Sequence, residues 1–251
     1  MKLTWVRQNA TNGTGQMRRP LALGLYVLGL LLMLTVAAIT IWPEMEAAVF
    51  DRPLITEETL RTLRCPPALT PDENAALTAT FTNEEDRAQT FRAQALLSYR
   101  SAAVIDEVNH WVELAPGETR VVRWPLEPES AAFGRMILAS VHVSSRGSTP
   151  PQQRGCGVMV LNLPRFTGTQ YVLGMVVGGL LTLAASRLLW EERQPAQEKI
   201  LQEKPNTLTR RLALLAAGVA GAMFAGLLNF WALGGLLLVL SALLVISFSQ
   251  T

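Results

Sequence analysis

Two histidines, two cysteines and the acid pairs Glu57-Glu58, Glu84-Glu85 and Asp106-Glu107 are candidates for chemistry in this chain. A general base or metal ligand needs partners within reach. His110 and His142 have none in sequence, and His110 shares the alternation of Val108 and Val112, so it reads as a half-buried structural histidine. Glu57-Glu58, Glu84-Glu85 and Asp106-Glu107 read as solvated turns. A calcium loop needs oxygen ligands at alternating positions, which Glu84-Glu85-Asp86 lacks. Cys65 and Cys156 have no histidine or cysteine spacing that would complete a zinc set. They are expected to form a disulfide, with two buried thiols as the alternative. No glycine-rich phosphate loop and no activated-serine elbow occurs. These patterns point to a non-enzymatic protein with no catalytic residue, metal or cofactor.

The elements that must position these residues divide sharply by composition. Residues 21–41 carry no charge, and residues 212–248 carry no ionisable side chain over 37 positions. A helix needs roughly 20 apolar residues to cross a bilayer. Residues 20–42 therefore read as a first transmembrane helix and 170–190 as a second, with Arg187 able to snorkel. The 37-residue run is too long for one ordinary crossing. It reads as two short spans, 210–228 and 232–248, joined by a tight turn at 229–231; one strongly tilted helix is the rival. The first run is longer than the usual apolar core of a cleaved signal peptide, about 7–15 residues, so it is expected to remain as an anchor.

Charge orients the chain. Residues 1–19 hold Lys2, Arg7, Arg18 and Arg19 and no acid, a net of +4. Residues 187–211 hold six basic residues against four glutamates, a net of +2. The remaining 12 arginines and 16 acids give −4. Basic flanks stay in the cytoplasm. This predicts a multi-pass cell-membrane protein with both termini inside: a cytoplasmic tail at 1–19, a cytoplasmic loop at 191–209, and an extracytoplasmic domain at 43–169. Both cysteines fall in that outer domain, where a disulfide persists. The tail is expected to be mobile, 43–53 to be a juxtamembrane linker, and 196–204 to form a short helix on the inner membrane surface.

The outer domain alternates with period two, the signature of half-buried strands. Leu77, Ala79 and Phe81 alternate with threonines; Phe91, Ala93, Ala95 and Leu97 repeat the pattern, as do Val108, His110, Val112 and Leu114. Pro116-Gly117 supplies a turn. Val122, Trp124 and Leu126 follow, then strands over 135–145 and 156–163. Six or seven strands within about 110 residues predict a β-sandwich. The fold expected is four transmembrane α-helices plus one all-β sandwich ectodomain.

The strings LTPDENAALTATFTNEED and LAPGETRVVRW resemble the adhesion-type immunoglobulin-like modules of bacterial surface proteins. The resemblance covers residues 60–163 and implies a binding or spacing module without catalytic residues. Trp111 and Trp124 lie between the cysteines, with Trp111 on the polar phase of its strand.

The spans carry small residues at helical spacing. Gly174 and Gly178, beside Gly179, form one face; Gly218, Ala222 and Gly226 form another. Such faces allow close helix packing, here expected between the second span and the third. The membrane interior offers hydroxyls but few ionisable groups, which argues against an independent channel or pump. Basic and acidic residues interleave in the outer domain, so no nucleic-acid partner is expected. The expected role is an accessory, scaffolding or assembly subunit docking membrane or envelope proteins in the lipid bilayer. The alternative is a ligand-sensing ectodomain coupled to a separate signalling partner.

Overall fold

A computed structural model of the chain describes residues 5–50, 58–145, 150–191 and 207–249. The helix expected over 196–204 and Glu57 lie outside the described residues. The four described helices are α1 (Trp5–Phe50), α2 (Gly168–Glu191), α3 (Thr207–Leu227) and α4 (Trp231–Ser249). Three contain stretches long and apolar enough to cross a membrane: Pro20–Phe50, Gly168–Trp190 and Arg210–Leu227. The apolar part of α4, Trp231–Ser247, is shorter.

Two compact units divide the chain: a helical one (Met1–Ala37, Leu173–Phe224, Gly234–Thr251) and a β-rich one (Ala38–Val172, Ala225–Leu233). In the helical unit, α2 meets α1, where the sequence suggested α3. A Cβ on Gly29 would lie 2.8 Å from Leu183 and Thr182, and one on Gly179 would lie 3.2 Å from Met33. Glycine is what lets these two backbones approach. Ser186 donates to the Ala22 carbonyl at 2.8 Å, and Tyr26 donates to the Leu212 carbonyl at 2.6 Å. On α3, Gly218 lies against the Ser241 hydroxyl of α4, and a Cβ on Gly221 would be 3.2 Å from Leu237.

The described residues of the β-rich unit form eight strands: β1 (Glu58–Thr59), β2 (Ala68–Leu69), β3 (Ala75–Thr82), β4 (Gln89–Tyr99), β5 (Ser101–Leu114), β6 (Thr119–Leu126), β7 (Met136–Ser145) and β8 (Gln152–Val160). A larger sheet runs β1-β8-β7-β4-β5, with β2 also pairing β8; β3 and β6 form a second, two-stranded sheet. The alternating apolar residues of both sheets enter one shared core: Leu77, Phe81, Phe91, Val112, Trp124, Ile137 and Val158 are all buried there. This is the outcome that period two dictates when each sheet has one wet face.

The end of α1 departs from the sequence expectation. Residues 43–50 form no linker; the helix continues through Pro43 to Phe50. EMEAAVF consists mostly of good helix formers, and a proline removes only one amide from the ladder. The helix seats against β8. Gly157 lies against the Pro43 backbone, and a Cβ on Gly155 would be 3.2 Å from the Ala47 carbonyl. Four helical residues rise about 6 Å and two strand residues about 6.7 Å, so i,i+4 on the helix matches i,i+2 on the strand. Ala47 then joins Ala132, Met136 and Leu138 in a second apolar cluster. Likewise α1 begins at Trp5, within the stretch expected to be a mobile tail.

Several chain entries meet at one end of the β-rich unit. Pro43 lies over the C-terminal half of β8. Gly168, the first residue of α2, abuts the Ala68 backbone and donates to the Glu73 carboxylate at 2.7 Å. Gly226, near the end of α3, lies against the Thr40 hydroxyl. Asn229, with φ of +62°, turns the chain from α3 into α4.

Candidate interaction surface

The surface is built on the β4–β5 hairpin. Its strands pair from Gln89↔Leu114 to Tyr99↔Ser101, with an irregularity at Ser98/Tyr99. Arg100, at φ +57°, makes the turn in a conformation that few non-glycine residues adopt. The turn is tied down: the Arg100 amide donates to the Ser130 carbonyl and the Phe133 amide to the Arg100 carbonyl, each at 3.2 Å. Buried Ser98 accepts from the Leu138 amide at 3.0 Å. Among the described residues β5 pairs only with β4, and its other edge has no strand beside it there.

On the outward face, Arg92 stands opposite Trp111, and Gln94 stands between Asn109 and His142. Arg92 lies over the Trp111 ring at 5.8 Å, bonds the Asn109 side-chain oxygen at 3.1 Å, and pairs with Glu107 at 3.5 Å. Asn109 in turn donates to Glu107 at 2.6 Å. Trp111 remains 62% exposed. Its polar phase was legible in the sequence; the arginine and asparagine around it were not, because they lie on different strands. A planar aromatic held by a guanidinium is a common composition for binding hot spots.

The other sequence candidates are distributed elsewhere. Cys65 and Cys156 form a disulfide spanning 91 residues, against the core. His110 is half-buried and meets Trp124 edge-on at 5.8 Å. Trp124 is fully buried, and its indole nitrogen has no hydrogen-bond partner among the described residues. His142 approaches Ser140 at 3.4 Å, and Ser140 accepts from Gln153 at 3.1 Å. Glu85 pairs with Arg87 at 2.9 Å, Asp106 is exposed, and Glu58 lies in β1. Among the described residues, no three His, Cys, Asp or Glu side chains group as a metal site. Gly174 faces open space, a Cβ on Gly178 would lie 3.6 Å from Leu32, and Ala222 is fully buried.

The end of the domain carrying the β3–β4 and β5–β6 turns is organised by Asn83, which is fully buried. Its amide donates to the Arg87, Leu114 and Ala115 carbonyls at 2.7, 3.1 and 3.1 Å. Beside it, Glu118 accepts from the Ala115 amide and from Arg120. The amide contact first, and the guanidinium second, hold its carboxyl below the ordinary carboxylate range. An open cavity of about 240 Å³ lies at this end, lined by Thr62, Thr80, Thr82, Glu84, Phe91 and Ser145 among others. At the opposite end, Glu44 is buried beside a smaller cavity of about 70 Å³ shared with Cys65, Pro66, Gly226 and Asn229.

No family model matches this chain, and no curated protein does. Solved structures give slight likenesses. The β-glucuronidase 2 of Bacteroides uniformis matches at 14% identity and TM-score 0.28, over 37% of this chain and 12% of its own. The CsuC–CsuE chaperone–tip adhesion subunit complex from Csu pili of Acinetobacter baumannii matches at 8% identity and TM-score 0.26, over 42% of this chain and 59% of its own. The matched part thus spans a small fraction of the glucuronidase and just over half of the pilus chain. Likenesses of this size carry no argument about activity.

Proposed function

We propose that this chain is a non-enzymatic, multi-pass membrane protein that holds an immunoglobulin-like β-sandwich outside the cell membrane as an accessory or scaffolding subunit. The observation that carries the docking role is β5: a fourteen-residue edge strand, paired on one side only among the described residues, presenting Trp111 beside Arg92. An open strand edge is a template for another chain, and backbone pairing plus an aromatic anchor suits a protein partner. The membrane reading draws support from the apolar helices and from the meeting of Pro43, Gly168 and Gly226 at one end of the β-rich unit. A domain inserted between two spans, with a helical hairpin turning on the same side, leaves both termini on the other side.

The test is mild-detergent extraction, native electrophoresis and mass spectrometry of the band. A discrete complex of fixed composition, lost when Trp111→Ala is introduced, is the expected result. A truncation of this kind at a hot spot costs about 2 kcal/mol or more, roughly thirtyfold in affinity. A monomer or homo-oligomer with no partner overturns the scaffold reading. The cavity near Thr80 and Glu84 favours the second reading, a ligand-sensing ectodomain. Small-molecule binding abolished by Glu84→Ala but not by Trp111→Ala would replace the first reading with it.

A further inference from the structure

The helix-entry end of the β-rich unit carries a second exposed group, distinct from the Trp111 face. Three loops form it. The β4–β5 turn offers Tyr99 and, just beyond, Ile105. The loop before β7 offers Phe133, 70% exposed, and the connection from β8 to α2 offers Leu163 and Phe166. Singly exposed apolar residues need no explanation, but five grouped on three converging loops and the adjoining start of β5 form a patch.

The backbone fixes the convergence. Phe133, at φ +55°, is bound to Arg100 as described, and Arg100 stacks over Tyr99 at 5.4 Å. The Val160 amide donates to the Arg135 carbonyl at 2.7 Å, and the Leu161 amide to the Leu69 carbonyl at 2.7 Å. Met136 and Met159 are in register, so the Phe133 loop sits beside the exit of β8. That exit leads in seven residues to Gly168. Phe166 meets Tyr171 edge-on at 5.7 Å, and the Tyr171 hydroxyl donates to the Pro164 carbonyl at 2.5 Å. Tyr171 opens the apolar stretch of α2. The patch is therefore continuous with the start of that helix. Its composition is aromatic and aliphatic, with Arg100, Arg135 and Arg165 on the same loops.

We propose that this end of the β-rich unit is seated in a lipid surface, with Phe133, Tyr99 and Phe166 in the headgroup layer. Tyr99 suits that layer because its ring prefers apolar contact while its hydroxyl stays hydrated, and the wholly apolar rings of Phe133 and Phe166 gain by leaving water. Arginines on the same loops reach phosphates. The inference rests on the membrane-spanning reading of α2 under Proposed function. It adds that the domain is pinned to the bilayer, with the Trp111 edge left free for a partner.

The experiment uses the full chain in nanodiscs of phosphatidylcholine and phosphatidylglycerol. Single cysteines carrying an environment-sensitive fluorophore replace Phe133, Leu181 or Val121, with Phe166→Cys as a second position at the patch; the native cysteines are bridged. Val121 is exposed on β6 near the opposite end of the domain, and Leu181 is exposed on α2. The quencher is a lipid with a nitroxide near its headgroup, and a second lipid carries it deep in the acyl chain. The expected result is severalfold stronger quenching at Phe133→Cys and Phe166→Cys than at Val121→Cys, with Leu181→Cys quenched by the deep nitroxide. Quenching at Leu181→Cys alone overturns the seating and leaves the span intact. Absence of quenching at Leu181→Cys overturns the span reading and the seating with it. A blue-shifted but unquenched fluorophore at both patch positions assigns the patch to a protein contact and also overturns the proposal.

Discussion

Glu73 ties the two ends of the β-rich unit's chain together. Its carboxylate accepts from the Gly168 amide at 2.7 Å and from the Thr70 amide at 3.2 Å. The first amides of a helix have no intrahelical partner, and an anion there also meets the positive end of the helix dipole. Glu73→Ala is expected to cost about 0.5–2 kcal/mol, the range for lost N-terminal caps. Denaturant unfolding of the detergent-solubilised chain measures it. Glu118 gives a pH signature. Its folded carboxyl titrates below the unfolded one, so its contribution is present above the unfolded value and is lost as pH falls through the lower, folded value. The group is exposed, so the effect is small and salt-screened. Glu118→Gln should flatten the acid limb of the stability profile at low salt; an unchanged limb refutes the assignment. Neither role was legible in the sequence, since each depends on an amide brought in by the fold. The disulfide was legible as the expected pairing, with two buried thiols as the alternative, because both cysteines fall in the polar block that charge places outside the cytoplasm. Closing a loop of about 90 residues contributes roughly 4–5 kcal/mol in the chain-entropy model.

Among elements, the strands were the most readable. The alternation around Leu77, Phe91 and Val112 needs nothing beyond side-chain period and burial. β5 was readable only in its second half. Its first half, with Ala103, Val104, Ile105 and Asp106 all exposed, carries no buried phase to detect. The end of α1 was misread because helix and linker have similar composition there and the deciding partner is a strand far away in sequence. The signal available was Gly155-Cys156-Gly157: glycines two apart on a strand mark one face where another backbone comes close. Gly157→Val should displace the end of α1 from β8. The expected readout is faster amide exchange across residues 43–50, with a loss of about 1–3 kcal/mol as for other overpacked sites. Unchanged exchange there would show that Pro43 does not depend on the gap.

At the scale of the whole molecule, the membrane reading predicts a sidedness. Val121→Cys should react with a membrane-impermeant maleimide on intact cells or spheroplasts, whereas Gln197→Cys should react only after permeabilisation. The reverse pattern, or equal labelling, would refute the orientation that the basic segments imply. The sidedness comes from charge alone, because a bilayer sorts lysine and arginine irrespective of the fold between them.

What the sequence determined by itself was local and periodic: apolar runs of helical length, strands that alternate, and a polar block holding both cysteines. These follow from the solvent preference of each side chain and its position in a repeat of two or 3.6. Only the tertiary structure decided which glycines are packed, leaving Gly174 open while Gly29 of α1 lies against α2 and Gly179 of α2 lies against α1. It also decided that Arg92 and Asn109 gather around Trp111, and that Tyr99, Phe133 and Phe166 share one end. Those outcomes depend on contacts between residues distant in the chain, which strand order and turn closure create and a one-dimensional pattern does not encode.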